Sequence, residues 1–230
     1  MVTLRYLGHS AFALNDGERE VLVDPFLTGN PLGAASADEF NPVAILLTHA
    51  HNDHVGDTVS IAKRSGAMVI STFELGEYLE SLGVNANYGN HGGTLKFDGG
   101  SAKITPAWHT SSFTADDGQV VAPGVPAGLI VKFGGKTIYF AGDTCLFGDM
   151  AFIGEEGLDV AVLPIGDHFT MGPDDAVRSL KLLKPKVAVP CHYNTFPPLK
   201  QDPHKFAEDA EEHAGVKVQV LDPGQSFNVD

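Results

Sequence analysis

Apolar residues in this chain come in short runs separated by segments rich in Gly, Pro, Asn and Asp. Val2, Leu4 and Tyr6 alternate with Thr3, Arg5 and Leu7, the period of a half-buried strand. Gly8 interrupts that strand, and 10–14 begins a second. Asn15-Asp16-Gly17 signals a turn into a third strand at 20–23, which ends at Asp24-Pro25. Val43-Ala44-Ile45-Leu46-Leu47 is apolar throughout, as a strand buried on both faces reads. Further strands are predicted at 67–71, 94–97, 102–107, 158–163, 187–190 and 216–221. Strands at 129–133 and 137–140 flank Gly134-Gly135 as a hairpin. Helices are predicted over 57–64 and 73–82, stopped by Gly66 and Gly83, and over 173–183 and 203–214. Segments 26–42 and 111–128 have no period and are long enough to suggest that they line a site.

Strands open each half of the chain and then alternate with helices. This predicts a layered α/β protein, two sheets packed between helices. No linker or low-complexity tract divides the sequence, so residues 1–230 read as one domain. The halves echo each other weakly. A strand ends at a carboxylate in each (Val23-Asp24, Gly142-Asp143), and a later one ends at a histidine (Thr48-His49, Cys191-His192). That is too little to establish a repeat.

Composition narrows the partners more than the fold. Apolar residues make up 43% of the chain, an ordinary value for a globular protein. The formal net charge of −14 argues against nucleic acid as a partner, since phosphate binding runs on Lys and Arg. The acidity itself is read as solubility. The start of the chain alternates like a strand and does not read as a signal peptide. No apolar run is long enough to cross a membrane. With only Cys145 and Cys191, a reducing, cytoplasmic setting without a disulfide is the simplest expectation. A homo-oligomer is compatible with all of this.

The chemistry concentrates in Thr48-His49-Ala50-His51-Asn52-Asp53-His54, directly after the buried strand. Imidazoles and a carboxylate packed this closely suit a metal ion, which needs neutral nitrogen and ionised oxygen donors. His109, Asp143 and His192 each follow another apolar strand, where α/β folds place ligand-binding groups. Together with His49, His51, Asp53 and His54 they make more donors than one four-coordinate ion can use. Two ions about 3.5–4 Å apart can use them, with one carboxylate and one water bridging. The set holds no thiolate, so Zn²⁺, Mn²⁺ and Fe²⁺ are all compatible. Asp24 is read either as orienting a ligand histidine or as capping a turn with Pro25. His91 is read as an exposed turn residue, and His204 and His213 as solvated helix surface. Cys191 should point away from the donors, because side chains alternate along a strand.

In order and spacing, His49-x-His51-x-Asp53-His54, His109, Asp143 and His192 resemble the metallo-β-lactamase superfamily across nearly the whole chain. Gly8-His9-Ser10-Ala11-Phe12, Ala141-Gly142-Asp143-Thr144, Leu163-Pro164-Ile165-Gly166-Asp167, Phe169-Thr170-Met171 and His192-Tyr193-Asn194-Thr195-Phe196-Pro197 resemble its UPF0173 metal-dependent hydrolase branch. That branch is related to ascorbate-6-phosphate lactonase-like proteins. The resemblance implies a four-layer αββα sandwich with the site at one sheet edge. It implies that His49, His51 and His109 hold one metal, that Asp53, His54 and His192 hold the other, and that Asp143 bridges, with zinc the first choice of ion. The flavodi-iron branch carries glutamate where this chain has His51, which disfavours a redox role.

The implied reaction is hydrolysis of a small ester, lactone or related acyl compound by a hydroxide held between the metals. Asp53 would hold the hydroxide and pass its proton to the leaving group. His9, in a Gly-His-Ser turn near the site, would protonate a leaving group, bind an anionic substituent or simply shape the turn. His168, Tyr193 and Asn194 are candidates to line the small-molecule substrate. Phosphodiester cleavage on a small nucleotide is the alternative, and a non-catalytic metal-binding protein is a third.

Overall fold

The computed structural model describes residues 1–115 and 118–230. The first sheet is built from β1 (Val2–Gly8), β2 (Ala11–Asn15), β3 (Glu20–Val23), β4 (Ala44–Leu46), β5 (Met68–Thr72) and β6 (Ala86–Gly89). The second begins with β7 (Thr94–Phe97) and β8 (Gly100–Pro106). A two-stranded ribbon, β9 (Phe113–Thr114) with β10 (Val120–Val121), intervenes. The second sheet then continues through β11 (Ala127–Phe133), β12 (Lys136–Phe140), β13 (Val160–Pro164), β14 (Val187–Cys191) and β15 (Lys217–Val218). Last in the chain, β16 (Ser226–Val229) returns to the first sheet and pairs antiparallel with β1. The strand orders are β16-β1-β2-β3-β4-β5-β6 and β15-β14-β13-β12-β11-β8-β7.

Alternation along the strands sorts the core into three apolar layers. Val23, Leu46 and Ile70 face Leu129, Phe140, Val162 and Val189 between the sheets. Their neighbours Leu22, Ile45 and Val69 point the other way, onto helices α2 (Thr58–Ser65) and α3 (Phe73–Ser81), which follow the single turn α1 (Asn52–Val55). Tyr139, Ala161, Leu163 and Ala188 likewise pack on α4 (Met150–Gly154), α5 (Pro173–Leu183) and α6 (Pro203–Ala214). The result is the expected αββα sandwich. Both faces of β4 and β13 are buried, which is why those runs carry no polar residue.

The echo between the halves holds for the carboxylates only. In each sheet antiparallel strands lead into a parallel run, β3 beside β4 and β12 beside β13. Asp24 follows β3 and Asp143 follows β12, equivalent places. His49 follows β4, the next strand over, whereas His192 follows β14, two strands from β12.

Asp159 pins three strands of the second sheet below the site. Its carboxylate accepts from the Thr137 N–H at 2.8 Å and from Lys186 Nζ at 2.7 Å. Burial tends to raise its pKa, but the bonds to Lys186 and Thr137 outweigh that and hold it below the usual carboxylate range. A depressed carboxylate stabilises the fold above its unfolded pKa and loses that contribution as pH falls through the folded one. Asp159→Ala is expected to cost about 1–2 kcal/mol near pH 7. The deficit in urea titrations should shrink as the pH drops through the carboxylate range; a pH-independent deficit would count against the charge argument.

Candidate metal centre

The donors sit just past the carboxyl ends of strands. His9 follows β1, His49 follows β4, His109 follows β8, Asp143 follows β12 and His192 follows β14. His51 caps α1, whose single turn supplies Asp53 and His54. Several of these residues hold a left-handed backbone that side chains other than glycine rarely adopt: His9 at φ 59°, Asp24 at 44° and His192 at 55°. Such conformations cost on the order of 1–3 kcal/mol each and concentrate at functional sites. Gly142, at φ 62°, lets the chain turn into Asp143. A Cβ there would lie 2.8 Å from both the Ala127 carbonyl oxygen and the Thr48 Cβ.

Two groups of donors converge. His49, His51, His109 and Asp143 form one; His9, Asp53, His54 and His192 form the other. Asp143 stands between them. Its Oδ2 lies 3.1 Å from His192 Nε2, 3.4 Å from His109 Nε2 and 4.0 Å from His49 Nε2, and its Oδ1 lies 3.4 Å from His54 Nε2. The stretch through β6 contributes His49, His51, Asp53 and His54; the stretch from β7 onward contributes His109, Asp143 and His192. The seven donors expected from sequence are therefore brought together, and His9 joins them.

Three observations show that the donors fit divalent cations. First, the buried His54 Nε2 and Asp143 Oδ1 face each other yet neither has a hydrogen-bond partner, and His192 Nδ1 is likewise unpartnered, among the described residues. Buried polar atoms are rarely left this way without an ion or water between them. Second, burial above all, with His54 nearby, holds His49 well below its ordinary pKa, and burial likewise lowers His51 and His109. All three are neutral imidazoles, as metal donors must be. Third, burial would raise Asp143 and depress His54, but mutual attraction reverses both. His192 and His54 hold the Asp143 carboxyl well below the usual range, and Asp143 with Asp24 holds His54 well above its own. Positive charge beside the two carboxylates is thus favoured, and a cation between His54 Nε2 and Asp143 Oδ1 would supply it.

Surrounding groups orient the donors. Asp24 accepts from the Thr48 N–H at 2.9 Å and from its hydroxyl at 2.6 Å, and contacts His54 Nδ1 at 2.8 Å. It therefore fixes which His54 nitrogen faces the centre, the orienting role weighed from sequence. Thr110 Oγ1 lies 3.3 Å from His51 Nε2, and the Trp108 N–H donates to Thr144 Oγ1 at 3.0 Å. Sequence reasoning missed these hydroxyls, although Thr48, Thr110 and Thr144 each flank a donor. It also missed Thr195, whose hydroxyl lies 2.8 Å from His9 Nδ1.

The remaining site candidates fall differently. His9 is fully buried with both ring nitrogens engaged, the second at 3.0 Å from Asp53 Oδ2, and burial pushes its pKa down to about 4. It is thus set behind the donors rather than open to a leaving group. Asp53 is also held low: burial would raise it, but the His9 hydrogen bond and nearby His54 outweigh that. Tyr193 packs into the apolar layer under the second sheet. Asn194 spends its amide on the Gln201 backbone, donating at 3.0 Å and accepting at 2.9 Å, so a local clamp takes the place of the expected substrate contact. His168 is exposed, its ring edge-on to Phe169 with centroids 4.5 Å apart.

Within 26–42, Phe26 packs edge-on to the His9 ring. In 111–128 the expected loop carries the β9–β10 ribbon, which Asn52 grips at Thr114; Asp116 and Asp117 lie outside the described residues. Cys145 and Cys191 are free thiols, and Cys191 lies between the sheets as alternation predicted.

Comparison with known proteins agrees with this geometry. Residues 19–193 match the family model described as the Beta-lactamase superfamily domain. A UPF0173 metal-dependent hydrolase of Thermus thermophilus is 54% identical over the full length of both chains. One of Deinococcus radiodurans is 48% identical, covering 98% of this chain and 99% of its own. A solved metallo hydrolase of the archaeon Ignicoccus hospitalis superposes with a TM-score of 0.89 at 40% identity, over 100% of this chain and 99% of its own.

Proposed function

The chain belongs to the UPF0173 metal-dependent hydrolases of the β-lactamase superfamily, and from that premise we propose that it hydrolyses a small ester, lactone or related acyl compound in the cytoplasm. The observation that carries this is the convergence of two donor groups on one shared carboxylate, Asp143. In this reading His49, His51 and His109 hold one divalent ion, Asp53, His54 and His192 hold the other, and Asp143 touches both. Zinc suits the nitrogen-rich set. When bound, the ions supply positive charge for the oxygen that gains electrons, and a solvent nucleophile at neutral pH.

The protein's own groups do the rest. Asp143 and the neutral imidazoles keep the centre fixed and short of water. Asp53 has a side chain 30% exposed, unlike the buried Asp143, so it is the carboxylate that meets substrate. With Oδ2 engaged by His9, its Oδ1 is left to accept a hydrogen bond from the nucleophile and hold it toward the reacting carbonyl. No lysine or arginine bonds to any donor among the described residues. A substrate with little charge beyond its reacting carbonyl therefore fits better than a phosphodiester. The free thiols and the absence of any described helix long and apolar enough to cross a membrane support the setting.

The test is a panel of lactones and simple esters run beside a panel of phosphodiesters, on protein reconstituted with zinc and, separately, with manganese. Lactone or ester turnover that disappears with chelator and returns with metal is expected. Turnover confined to phosphodiesters would replace the acyl reading.

A further inference from the structure

The His9 ring is walled in by Phe26, Phe196 and His192, with centroids at 6.0, 5.6 and 4.1 Å, and none of it is exposed. Its backbone is fixed as well: the His9 carbonyl accepts from the His192 N–H at 2.8 Å and from the Tyr6 hydroxyl at 3.2 Å. A ring so placed cannot touch substrate. With both nitrogens engaged, it can pass orientation from one neighbour to another.

Those neighbours are Thr195 and Asp53. Thr195 Oγ1 lies 2.8 Å from His9 Nδ1, while its other acceptor, the Tyr193 carbonyl, is 3.4 Å away. The Asp53 carboxylate facing Nε2 can only accept, so the ring proton sits on Nε2 and Nδ1 accepts from the Thr195 hydroxyl. Nε2–H then donates to Asp53 Oδ2 at 3.0 Å. The opposite tautomer would leave an Nε2 lone pair facing a carboxylate oxygen. Thr195 is itself buried, whereas Asp53 is partly open and has no other hydrogen-bond donor among the described residues.

We propose that Thr195 and His9 form a buried brace that fixes the carboxylate of Asp53, with Thr195 a positioning residue that acts through the His9 tautomer. The brace presents Asp53 Oδ1 to the second ion and to substrate; in this it rests on the reading of Asp53 as a donor.

Zinc titration of the metal-free protein and ¹⁵N NMR of His9 test it together. Thr195→Val should weaken the second equivalent of zinc by about 10–100-fold, the usual range for a group that orients a ligand, and leave the first equivalent unchanged. Thr195→Ser should restore wild-type binding. In the wild type, His9 should carry its proton on Nε2 with and without zinc. Wild-type zinc affinity in Thr195→Val overturns the brace, and so does loss of the Nε2 proton on adding zinc, which would make His9 a ligand. If the wild type takes up no zinc, the metal reading fails on its own. The NMR measurement still decides the brace, because an Nδ1-protonated His9 overturns it. Should Thr195→Val not fold, the tautomer in the wild type and the serine variant carry the test.

Discussion

Replacing Asp143 with alanine is expected to strip both divalent ions from the protein and abolish hydrolysis in the same step. Four imidazoles, those of His49, His54, His109 and His192, lie within 4.0 Å of its carboxylate. It is almost fully buried, so no other group and little water can take its place. Loss of an orienting partner alone commonly weakens metal binding by about 10–100-fold. Loss of the shared donor should exceed the upper end, a factor of 100, equal to about 2.8 kcal/mol. Metal analysis after dialysis, beside the lactone and ester rates, checks this. Asp143→Asn separates charge from shape: it keeps the volume and one oxygen, and should still lose most of the metal. A fully loaded, active Asp143→Ala protein would end the bridging assignment.

Gly166→Ala is expected to be the most damaging single methyl near the site. The added Cβ would collide with the His192 carbonyl oxygen and crowd His192 Nδ1. Both obstacles belong to a segment fixed by the His192 N–H bond to the His9 carbonyl, so neither swings aside easily. Overpacking of this kind costs about 1–3 kcal/mol. For a chain of this size that lowers the melting temperature by roughly 2–12 °C, at 2–4 °C per kcal/mol. Because the shift falls on a donor, zinc affinity should fall as well. Calorimetry and zinc titration on the variant would show both; an unchanged melting temperature would mean that the 166–172 loop yields freely.

Much of this was legible in the sequence because the informative signals are local. The apolar run before His49 specifies a strand buried on both faces, and the strand delivers the histidines to its end. The donors could be paired with their strands by the same logic. What the sequence concealed depends on distant partners. Ser226–Val229 is a strand only because β1 offers it an edge, and Ala86–Gly89 only because β5 does. Each alternates apolar with polar positions, but over only four residues, the shortest stretch that can signal a strand. The single turn Asn52–Val55 and the short α4 are too brief to give a helical pattern. The role of Thr195 is invisible for the same reason: it lies 186 positions from the ring it contacts. The Gly-His-Ser turn points to a place near the centre, but only packing shows that the His9 ring is fully buried there. Asn194 sits one residue beyond Tyr193 in a turn that looks open in sequence and is closed by Gln201 in space.

The division of donors between the two stretches of the chain carries a structural obligation. A polypeptide cut in the turn around Asn90–Gly93 would yield two pieces, one holding three imidazoles with Asp53 and the other two imidazoles with Asp143. Neither piece alone could enclose an ion pair. The centre is therefore complete only when the two sheets stand in register, because Asp143 after β12 has to reach His49 and His54 after β4.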